Sequence, residues 1–362
     1  MEMRKSKKII CGGIEIGGDA PISIQSMTNT DTRDVKKTIS QIKRLIEAGC
    51  DIVRCAIPDM QAAEAFREIK KNIEVPLVAD IHFDYRLAIA AIKNGADKVR
   101  INPGNIGDKE RIKAVVDVAK EYQIPIRVGV NSGSLEKDIL KKYKGVTAEG
   151  LVESTIRNVN LIEEMGFHDI IVSMKASDIK LNYDAHMLIS SKISYPLHIG
   201  ITEAGTSEGG GKIKSCIGIG SLLLSGIGDT MRVSLTGDPV NEVYFAKEIL
   251  KALNLRKGTI NLVSCPTCGR CRVNLSKITT ELERELKIIE KQREEKGLDS
   301  ITVAAMGCEV NGPGEAKEAD IGVACGNGKG LIFKKGEVID TVNETEIVKE
   351  LIKYINQEKV LI

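Results

Sequence analysis

The chain has 362 residues, which is long enough for one large domain and one small domain, each with its own buried core. Its apolar fraction of 42% and charged fraction of 28% are typical of globular proteins, and no apolar run approaches the roughly 20 residues of a membrane span. A net charge of +2, aromatic residues at 3% and the lack of tryptophan argue against nucleic acid as the main partner.

The N-terminal segment predicts both a compartment and a local structure. "MEMRKSKKIICGG" lacks the apolar core of a secretory signal, and the chain has nine cysteines, so we expect reduced thiols and a cytoplasmic location. The stretch "KKIICGGIEIGGD" predicts a short hairpin that plugs the bottom of the domain that follows.

Eight short runs rich in β-branched residues come next, and segments with apolar residues at three- and four-residue steps separate them. Gly49, Gly95 and Gly166 are placed to end helices just before the next run. Eight strand and helix units within about 250 residues predict an α/β fold, a parallel (β/α)₈ TIM barrel. The predicted strands cover residues 21–27, 51–57, 76–82, 98–104, 125–131, 169–175, 196–202 and 230–236.

Polar side chains follow the predicted strands at their C-terminal ends, where this fold places its active site. Four arginines and one lysine at one mouth are costly to bury without an anion, and Arg suits bidentate phosphate contact, so we expect a ligand with more than one phosphate. Asp80, His82 and Glu203 could move protons there, although Asp80 and His82 could instead orient the arginines. The predicted binding residues are Arg54, Arg100, Arg127, Lys175 and Arg232, with Asn102, Asn131 and Ser234 beside them.

The glycine-rich stretch "EAGTSEGGGKIKS" follows the seventh predicted strand. It is similar to a phosphate-binding loop that leads into a helix N-terminus, although glycine clusters more often mark plain turns or mobile lids.

The pattern changes after residue 256. A cysteine-containing loop, a long charged helix, two strand-like runs and a closing helix predict a second, smaller α+β domain. We therefore expect a substrate-binding barrel over residues 1–256 and a second domain over residues 257–362.

Cys265, Cys268 and Cys271 form a C-x₂-C-x₂-C run, and Cys308 follows in "GCEVNGPGE". This spacing predicts a metal site, and a second half with one cysteine, no histidine and the carboxylate Glu315 favours an iron–sulfur cluster over structural zinc. Spacing does not settle which thiols bind. The glycine-rich surroundings of Cys308 favour it over Cys271.

Several motifs in one order carry a family resemblance. "SIQSMTNTDT", "VADIHFDYRLA", "VRINPGNIG", "VSMKASD", "HIGITEAG", "SCPTCGR" and "GCEVNGPGEA" resemble the 4-hydroxy-3-methylbut-2-enyl diphosphate synthase family, in its compact bacterial form. The resemblance covers nearly the whole chain. It implies an iron–sulfur enzyme that opens 2-C-methyl-D-erythritol 2,4-cyclodiphosphate reductively in the non-mevalonate isoprenoid pathway.

The resemblance also implies roles for individual residues. A [4Fe-4S] cluster would be held by Cys265, Cys268, Cys308 and, as a weaker and exchangeable ligand, Glu315, which leaves Cys271 outside the ligand set. Glu203 would donate the proton to the departing hydroxyl, and the cationic mouth would hold the diphosphate. Flavodoxin or ferredoxin would supply electrons, and two chains would form a head-to-tail homodimer.

Two other functions remain compatible with the residues. One is a phosphate-binding barrel enzyme without redox chemistry, carrying a structural zinc site. The other is an iron–sulfur module without catalysis, which the polar ring at the predicted mouth argues against.

Overall fold

The computed structural model describes residues 2–206, 209–308, 316–326 and 328–357. The chain divides into two compact units, Met1–Ile249 and Leu250–Ile362. The predicted domain boundary after residue 256 falls a few residues inside the second unit. No helix in the described part of the chain combines the length and the apolar character needed to cross a bilayer.

The first unit is an eight-stranded parallel barrel with helices between its strands, as the sequence predicted. Neighbouring strands follow the order β8-β7-β6-β5-β4-β3-β10-β9. The strands, after the hairpin β1 (Ile9–Cys11) and β2 (Ile14–Ile16), are β3 (Ser23–Met27), β4 (Ile52–Ala56), β5 (Leu77–Asp80), β6 (Lys98–Ile101), β7 (Ile126–Asn131), β8 (Ile170–Lys175), β9 (His198–Ile199) and β10 (Thr230–Met231). The helices are α1 (Val35–Glu47), α2 (Met60–Lys71), α3 (Tyr85–Lys93), α4 (Pro103–Ile106), α5 (Lys109–Glu121), α6 (Lys137–Lys142), α7 (Ala148–Glu163), α8 (Ile179–Ser190), α9 (Gly211–Leu224) and α10 (Pro239–Ala252).

Pairing between the first and last strands brings the sheet round into a barrel. β10 pairs with β3 on one side and with β9 on the other. A parallel bridge between Val172 and Leu197 joins β8 to the residue before β9. All strands are parallel, so their C-terminal ends share one mouth.

Several helices of the barrel have an aspartate as their N-cap residue. The side chains of Asp34, Asp59, Asp84, Asp108 and Asp178 each accept a hydrogen bond from a backbone N–H in the first turn of the next helix. Such a cap stabilises a helix by about 1 kcal/mol and fixes where the loop ends.

The N-terminal hairpin closes the opposite end of the barrel. Ile9, Cys11 and Ile16 pack in one buried cluster with Ile52, Val78 and Ile171, which lie at or near the starts of their strands. The predicted plug is thus confirmed.

Strands β9 and β10 are shorter than predicted. The chain leaves strand geometry at Gly200, where an added Cβ would stand 2.6 Å from the backbone oxygen of Arg232. This close approach brings the two chain segments together at the mouth without regular pairing, which sequence periodicity does not reveal.

In its described residues, the second unit has a five-stranded sheet and two α-helices, which is the predicted smaller α+β domain. Its order is β11-β12-β13-β14-β15, parallel from β11 to β13 and antiparallel from β13 to β15. Leu275, Ile278, Leu282, Leu286 and Ile289 form the buried face of its long helix. The elements are β11 (Ile260–Ser264), α11 (Leu275–Glu295), β12 (Ile301–Met306), β13 (Ile321–Gly326), β14 (Lys329–Lys334), β15 (Glu337–Asn343) and α12 (Ile347–Gln357).

Candidate functional site

The register of the central strands assembles the predicted charges at the barrel mouth. Asp80 is level with Arg100, and Arg100 is level with Arg127 on the next strand. Asn131 is level with Lys175. Arg54, Asp80, Arg100, Arg127 and Lys175 are all buried.

Asp80 is the acidic centre of this arrangement. Its carboxylate lies 3.6 Å from Arg54 Nε and 3.2 Å from Arg100 Nη1. Burial by itself raises the pKa of the Asp80 carboxyl, but Arg54 and Arg100 outweigh burial and bring that pKa down to about 2. Asp80 is therefore an anion at neutral pH and holds the two guanidinium groups in place.

His82 lies at the rim beside the same arginine. Arg100 Nη1 is 3.3 Å from His82 Nε2, and the imidazole itself is exposed. The geometry places Asp80 and His82 against an arginine, which is the orienting role that the sequence left open for both.

Arg127 and Lys175 lack a comparable carboxylate. Arg127 is 1% exposed, and its Nε and Nη1 make no hydrogen bond to any described residue. Burial, and after it the neighbouring cations, lower the pKa values of Arg127 and Lys175 well below their ordinary values. Buried donors without acceptors are costly, so these atoms point to an anionic ligand at the mouth.

Arg232 has a partner that the sequence analysis missed. Its Nη2 lies 3.5 Å from Glu242 Oε2, and the same carboxylate accepts hydrogen bonds from Ser26 Oγ at 3.2 Å and from the Leu235 amide at 3.0 Å. Glu242 belongs to the first turn of α10. A glutamate at that position is an ordinary helix-start residue in the sequence, so only the packing of α10 reveals its role.

Glu203 stands at the rim in an unusual backbone conformation. Its φ is +53°, in the left-handed region that non-glycine residues seldom adopt, and its side chain is exposed. Strain of this kind recurs at functional sites because it fixes the direction of a side chain.

The smaller polar residues surround the cations. Asn102 is buried, and its Oδ1 accepts a hydrogen bond from the Gly104 amide at 3.2 Å, which leaves the side-chain NH₂ for other partners. Asn131 ends β7, and Ser234 is half-buried just beyond β10.

The glycine-rich loop leads into helix α9, which begins at Gly211. The Gly209 amide donates to Thr206 Oγ1 at 3.0 Å, so part of the turn is closed internally. Residues 207 and 208 lie outside the described part, and phosphate binding by this loop stays a prediction.

In the second unit, strand register brings cysteines to one edge of the sheet. Ser264 is level with Ala305 and Met306 is level with Ala324, so Cys265 continues level with Met306, and Gly307 continues level with Cys325. The Gly307 amide donates to Cys265 Sγ at 3.2 Å. Cys308 is buried beside them.

Two more thiols lie on the loop after β11. Cys268 is exposed and Cys271 is partly buried. Hydrogen bonds from the Arg270 backbone and side chain lower the pKa of the Cys268 thiol, which favours the thiolate that metals bind. Glu315, the predicted fourth ligand, lies outside the described residues.

The donor set fits an iron–sulfur cluster better than a single metal ion. Across the described ranges, no group of three His, Cys, Asp or Glu side chains converges closely enough to hold one ion. A cluster spans a larger volume, and an amide N–H that donates to a cysteine sulfur is a common feature of its surroundings. Thiols on two adjacent loops, one of them already bonded to an amide, meet that requirement.

The other cysteines divide into two groups. Cys11, Cys50, Cys55 and Cys325 are buried, and burial raises the pKa of the Cys55 thiol to about 12. Cys216 is exposed on α9.

Two family models match this architecture. The GcpE TIM-barrel domain covers residues 6–247, and the GcpE protein C-terminal domain covers residues 261–357.

The chain belongs to the GcpE family.

Curated relatives give the GcpE family its enzyme name. A protein of Caldanaerobacter subterraneus subsp. tengcongensis, 58% identical over 99% of this chain and 98% of its own length, is a 4-hydroxy-3-methylbut-2-en-1-yl diphosphate synthase (flavodoxin). Two further relatives carry the same name. The protein of Clostridium acetobutylicum is 57% identical over 98% of this chain and 99% of its own length, and that of Geobacter sulfurreducens is 53% identical over 99% of this chain and 98% of its own length. The resemblance predicted from the sequence motifs is therefore confirmed.

Solved structures support the fold of the GcpE barrel. A dihydropteroate synthase from Stenotrophomonas maltophilia covers 68% of this chain and 97% of its own, with 13% identity and a TM-score of 0.50. A type I 3-dehydroquinate dehydratase from Clostridium difficile covers 69% of this chain and 98% of its own, with 15% identity and a TM-score of 0.50. At these identities the likeness concerns the barrel alone.

Proposed function

We propose that this GcpE-family chain converts 2-C-methyl-D-erythritol 2,4-cyclodiphosphate to (E)-4-hydroxy-3-methylbut-2-enyl diphosphate, as a 4-hydroxy-3-methylbut-2-enyl diphosphate synthase. The observation that carries the proposal is the barrel mouth, where five cations outnumber the carboxylates of Asp80, Glu242 and Glu203, and where Arg127 keeps buried donors without a hydrogen-bond partner among the described residues. The family match and the names of the curated relatives support the same activity. Barrel residues 1–256 bind the substrate, and residues 257–362 hold the redox group.

The positive charge of the barrel mouth matches the negative charge that develops in this reaction. Opening the ring at a C–O bond leaves that oxygen on the phosphate as an additional negative charge. Arginines and a lysine already desolvated around the site stabilise such a charge more strongly than water does. The residues assigned to diphosphate binding are Arg54, Arg100, Arg127, Lys175, Arg232, Asn102, Asn131 and Ser234.

Glu203 is assigned the proton transfer. It is the one predicted acid at the rim without a buried arginine beside it among the described contacts, and its strained backbone fixes its direction. In its protonated form it donates to the departing hydroxyl, which leaves as water. Asp80 and His82 position Arg100.

The redox group is a [4Fe-4S] cluster, which Cys265, Cys268, Cys308 and Glu315 would hold. When bound, it supplies the two electrons that the ring opening consumes. The Gly307 amide that donates to Cys265 Sγ stabilises sulfur in its thiolate form.

Partners follow from the same proposal. The curated relatives carry flavodoxin in their names, so we assign flavodoxin rather than ferredoxin as the electron donor. The head-to-tail homodimer and the cytoplasmic location remain part of the proposal. The non-redox barrel with structural zinc is not favoured, since the chain matches the family over both of its domains.

The first test is the metal content of protein purified without oxygen. We expect about four irons and about four acid-labile sulfides per chain, and turnover of the cyclic diphosphate with reduced flavodoxin. Stoichiometric zinc without sulfide would contradict the proposal.

The barrel mouth is tested with Arg127→Met. Removing an unpaired buried charge should raise the free energy of unfolding by about 1–3 kcal/mol, while affinity for the cyclic diphosphate falls at least tenfold. Urea unfolding and equilibrium binding separate the two effects. Arg157→Met, which removes an exposed arginine paired with Asp138, is the control and should change neither. Unchanged affinity in Arg127→Met would contradict the assigned role.

A further inference from the structure

Cys271 belongs to the second unit and is not among the four assigned cluster ligands. It is the third thiol of the C-x₂-C-x₂-C run, and its amide donates to the Cys268 carbonyl at 2.9 Å. Within this turn Cys268 is exposed, whereas Cys271 is partly buried. Cys271 is thus the less exposed of these two thiols.

Cys271 lies against the residue that precedes Cys308. A Cβ added to Gly307 would stand 2.6 Å from Cys271 Sγ, so any larger residue at position 307 would displace this sulfur. The Gly307 amide also donates to Cys265 Sγ, at 3.2 Å, and the Gly307 carbonyl accepts from the Arg272 amide at 3.3 Å. The sulfurs of Cys265 and Cys271 therefore both lie against one glycine, next to Cys308.

Packing gives independent support. Cys265 and Cys271 both contact the apolar core that includes Leu275 and Cys325. Cys268, in contrast, has the polar Arg270 as its neighbour.

We propose that Cys271 is an alternative cluster ligand that takes the place of Cys268. This inference rests on the proposed function, because it assumes the [4Fe-4S] cluster. In the exchange, Cys271 loses its proton as its sulfur binds iron, and Cys268 gains one as it leaves, so neither an oxidant nor a reductant is needed.

The exchange has a physical basis in the loop. The two thiols are three residues apart on one turn, so replacing one by the other moves only a short segment. The exposed thiol, Cys268, is also more open to chemical modification than Cys271, and a second thiol beside Cys265 retains the cluster when the first is lost.

The test uses four variants of the full chain: Cys268→Ser, Cys271→Ser, the double variant and Cys265→Ser. Each is reconstituted without oxygen from ferrous iron and sulfide, and iron and acid-labile sulfide are measured per chain. Both single variants at residues 268 and 271 should hold about four irons, like the unmodified chain. The double variant should lose at least three quarters of its iron, as Cys265→Ser should.

A second measurement identifies the ligand directly. Iodoacetamide labelling followed by mass spectrometry compares each thiol before and after reconstitution. In Cys268→Ser, reconstitution should protect Cys271 at least tenfold, whereas in the unmodified chain it should protect Cys268 and leave Cys271 unprotected. Far-UV circular dichroism of the apoproteins confirms that each variant is folded before reconstitution.

The outcomes separate the two levels of the argument. An unmodified chain that takes up zinc or no sulfide would overturn the proposed function and this inference together. If the unmodified chain takes up the cluster normally but Cys268→Ser loses iron as fully as Cys265→Ser, the inference alone is overturned. The same holds if Cys271 of Cys268→Ser reacts with iodoacetamide equally before and after reconstitution.

Discussion

At the scale of one residue, Asp80 explains how the barrel mouth holds buried arginines side by side. Its carboxylate is the partner of Arg54 and Arg100, and it is buried with them. Breaking a buried ion pair from one side leaves the other side uncompensated, which costs far more than losing an exposed pair.

Asp80→Asn should therefore lower the free energy of unfolding by roughly 3–5 kcal/mol without substrate. Pyrophosphate should restore part of this loss, because an anion then replaces the missing charge. Urea unfolding with and without pyrophosphate measures both effects. Asp138→Asn is the control, since its exposed pair with Arg157 is worth at most about 1 kcal/mol. Equal losses in the two variants would refute the argument.

Lys98 is a second buried cation, deeper in the same barrel. It is 0% exposed, and its Nζ makes no hydrogen bond to any described residue. Burial, partly opposed by Cys11 and reinforced by Arg127, lowers the pKa of Lys98 to about 8. The charged form is thus destabilising in the folded state.

This shift predicts a pH dependence of stability. The unfolded chain keeps the Lys98 proton up to a pKa near 10.5, whereas the folded chain releases it near 8. Between these values the unfolded state binds more protons, so the destabilisation, roughly 3 kcal/mol, is fully present below pH 8 and disappears as pH rises through the window.

Lys98→Met should therefore raise the free energy of unfolding by about 3 kcal/mol at pH 7, and by much less at pH 10.5. Urea titrations of both proteins at the two pH values measure the difference. Lys98→Arg keeps the charge and should show no gain at pH 7. A gain of the same size at both pH values would mean that packing, not charge, is responsible.

At the scale of elements, the sequence predicted the features that depend on residues close together in the chain. The eight strands and the intervening helices repeat with short periods, and Asp caps and glycines mark the helix ends, so the barrel followed from the sequence. The convergence of Arg54, Arg100 and Arg127 followed as well, because parallel strands end at one mouth.

Contacts between distant segments were not predictable in this way. Glu242 reaches Arg232 only because α10 packs beside Ser26. The lengths of β9 and β10 depend on the approach of Gly200 to the Arg232 carbonyl. The position of the Cys271 side chain likewise depends on Gly307, which directly follows β12. The spacing of the cysteines in the loop therefore did not predict this position.

Gly200→Ala tests the close approach between the segments that follow β9 and β10. The added Cβ would stand 2.6 Å from the Arg232 backbone oxygen and 3.0 Å from Lys175 Nζ, so both groups must move. We expect a loss of about 1–3 kcal/mol in the free energy of unfolding and at least a tenfold rise in KM for the cyclic diphosphate. Steady-state kinetics and urea unfolding measure these changes.

The matched control is Gly220→Ala in the middle of α9. Apart from its chain neighbours and the backbone of α9 itself, no described residue comes within 4 Å of the added Cβ there. Alanine is also the better helix former, so stability should rise by up to about 1 kcal/mol with KM unchanged. A Gly200→Ala variant that behaves like this control would show that the approach is not needed.

At the scale of the whole molecule, the chain divides its chemistry between two units. The cationic barrel mouth lies in Met1–Ile249, and the cysteine loops lie in Leu250–Ile362. Electrons must reach a substrate held in the barrel, and transfer requires the two groups to come close. A head-to-tail dimer, in which each cysteine domain covers the partner's barrel, is the proposed solution, with closure on substrate.

Small-angle scattering of the anaerobic protein tests this arrangement. Without reductant, saturating cyclic diphosphate should reduce the radius of gyration, because a substrate that binds the closed state more tightly shifts the population toward that state. The forward scattering should correspond to twice the chain mass of 39.4 kDa. Arg127→Met, which binds substrate weakly, should remain at the radius of the substrate-free protein under the same conditions. A monomeric mass would refute the dimer, and an unchanged radius with bound substrate would refute closure.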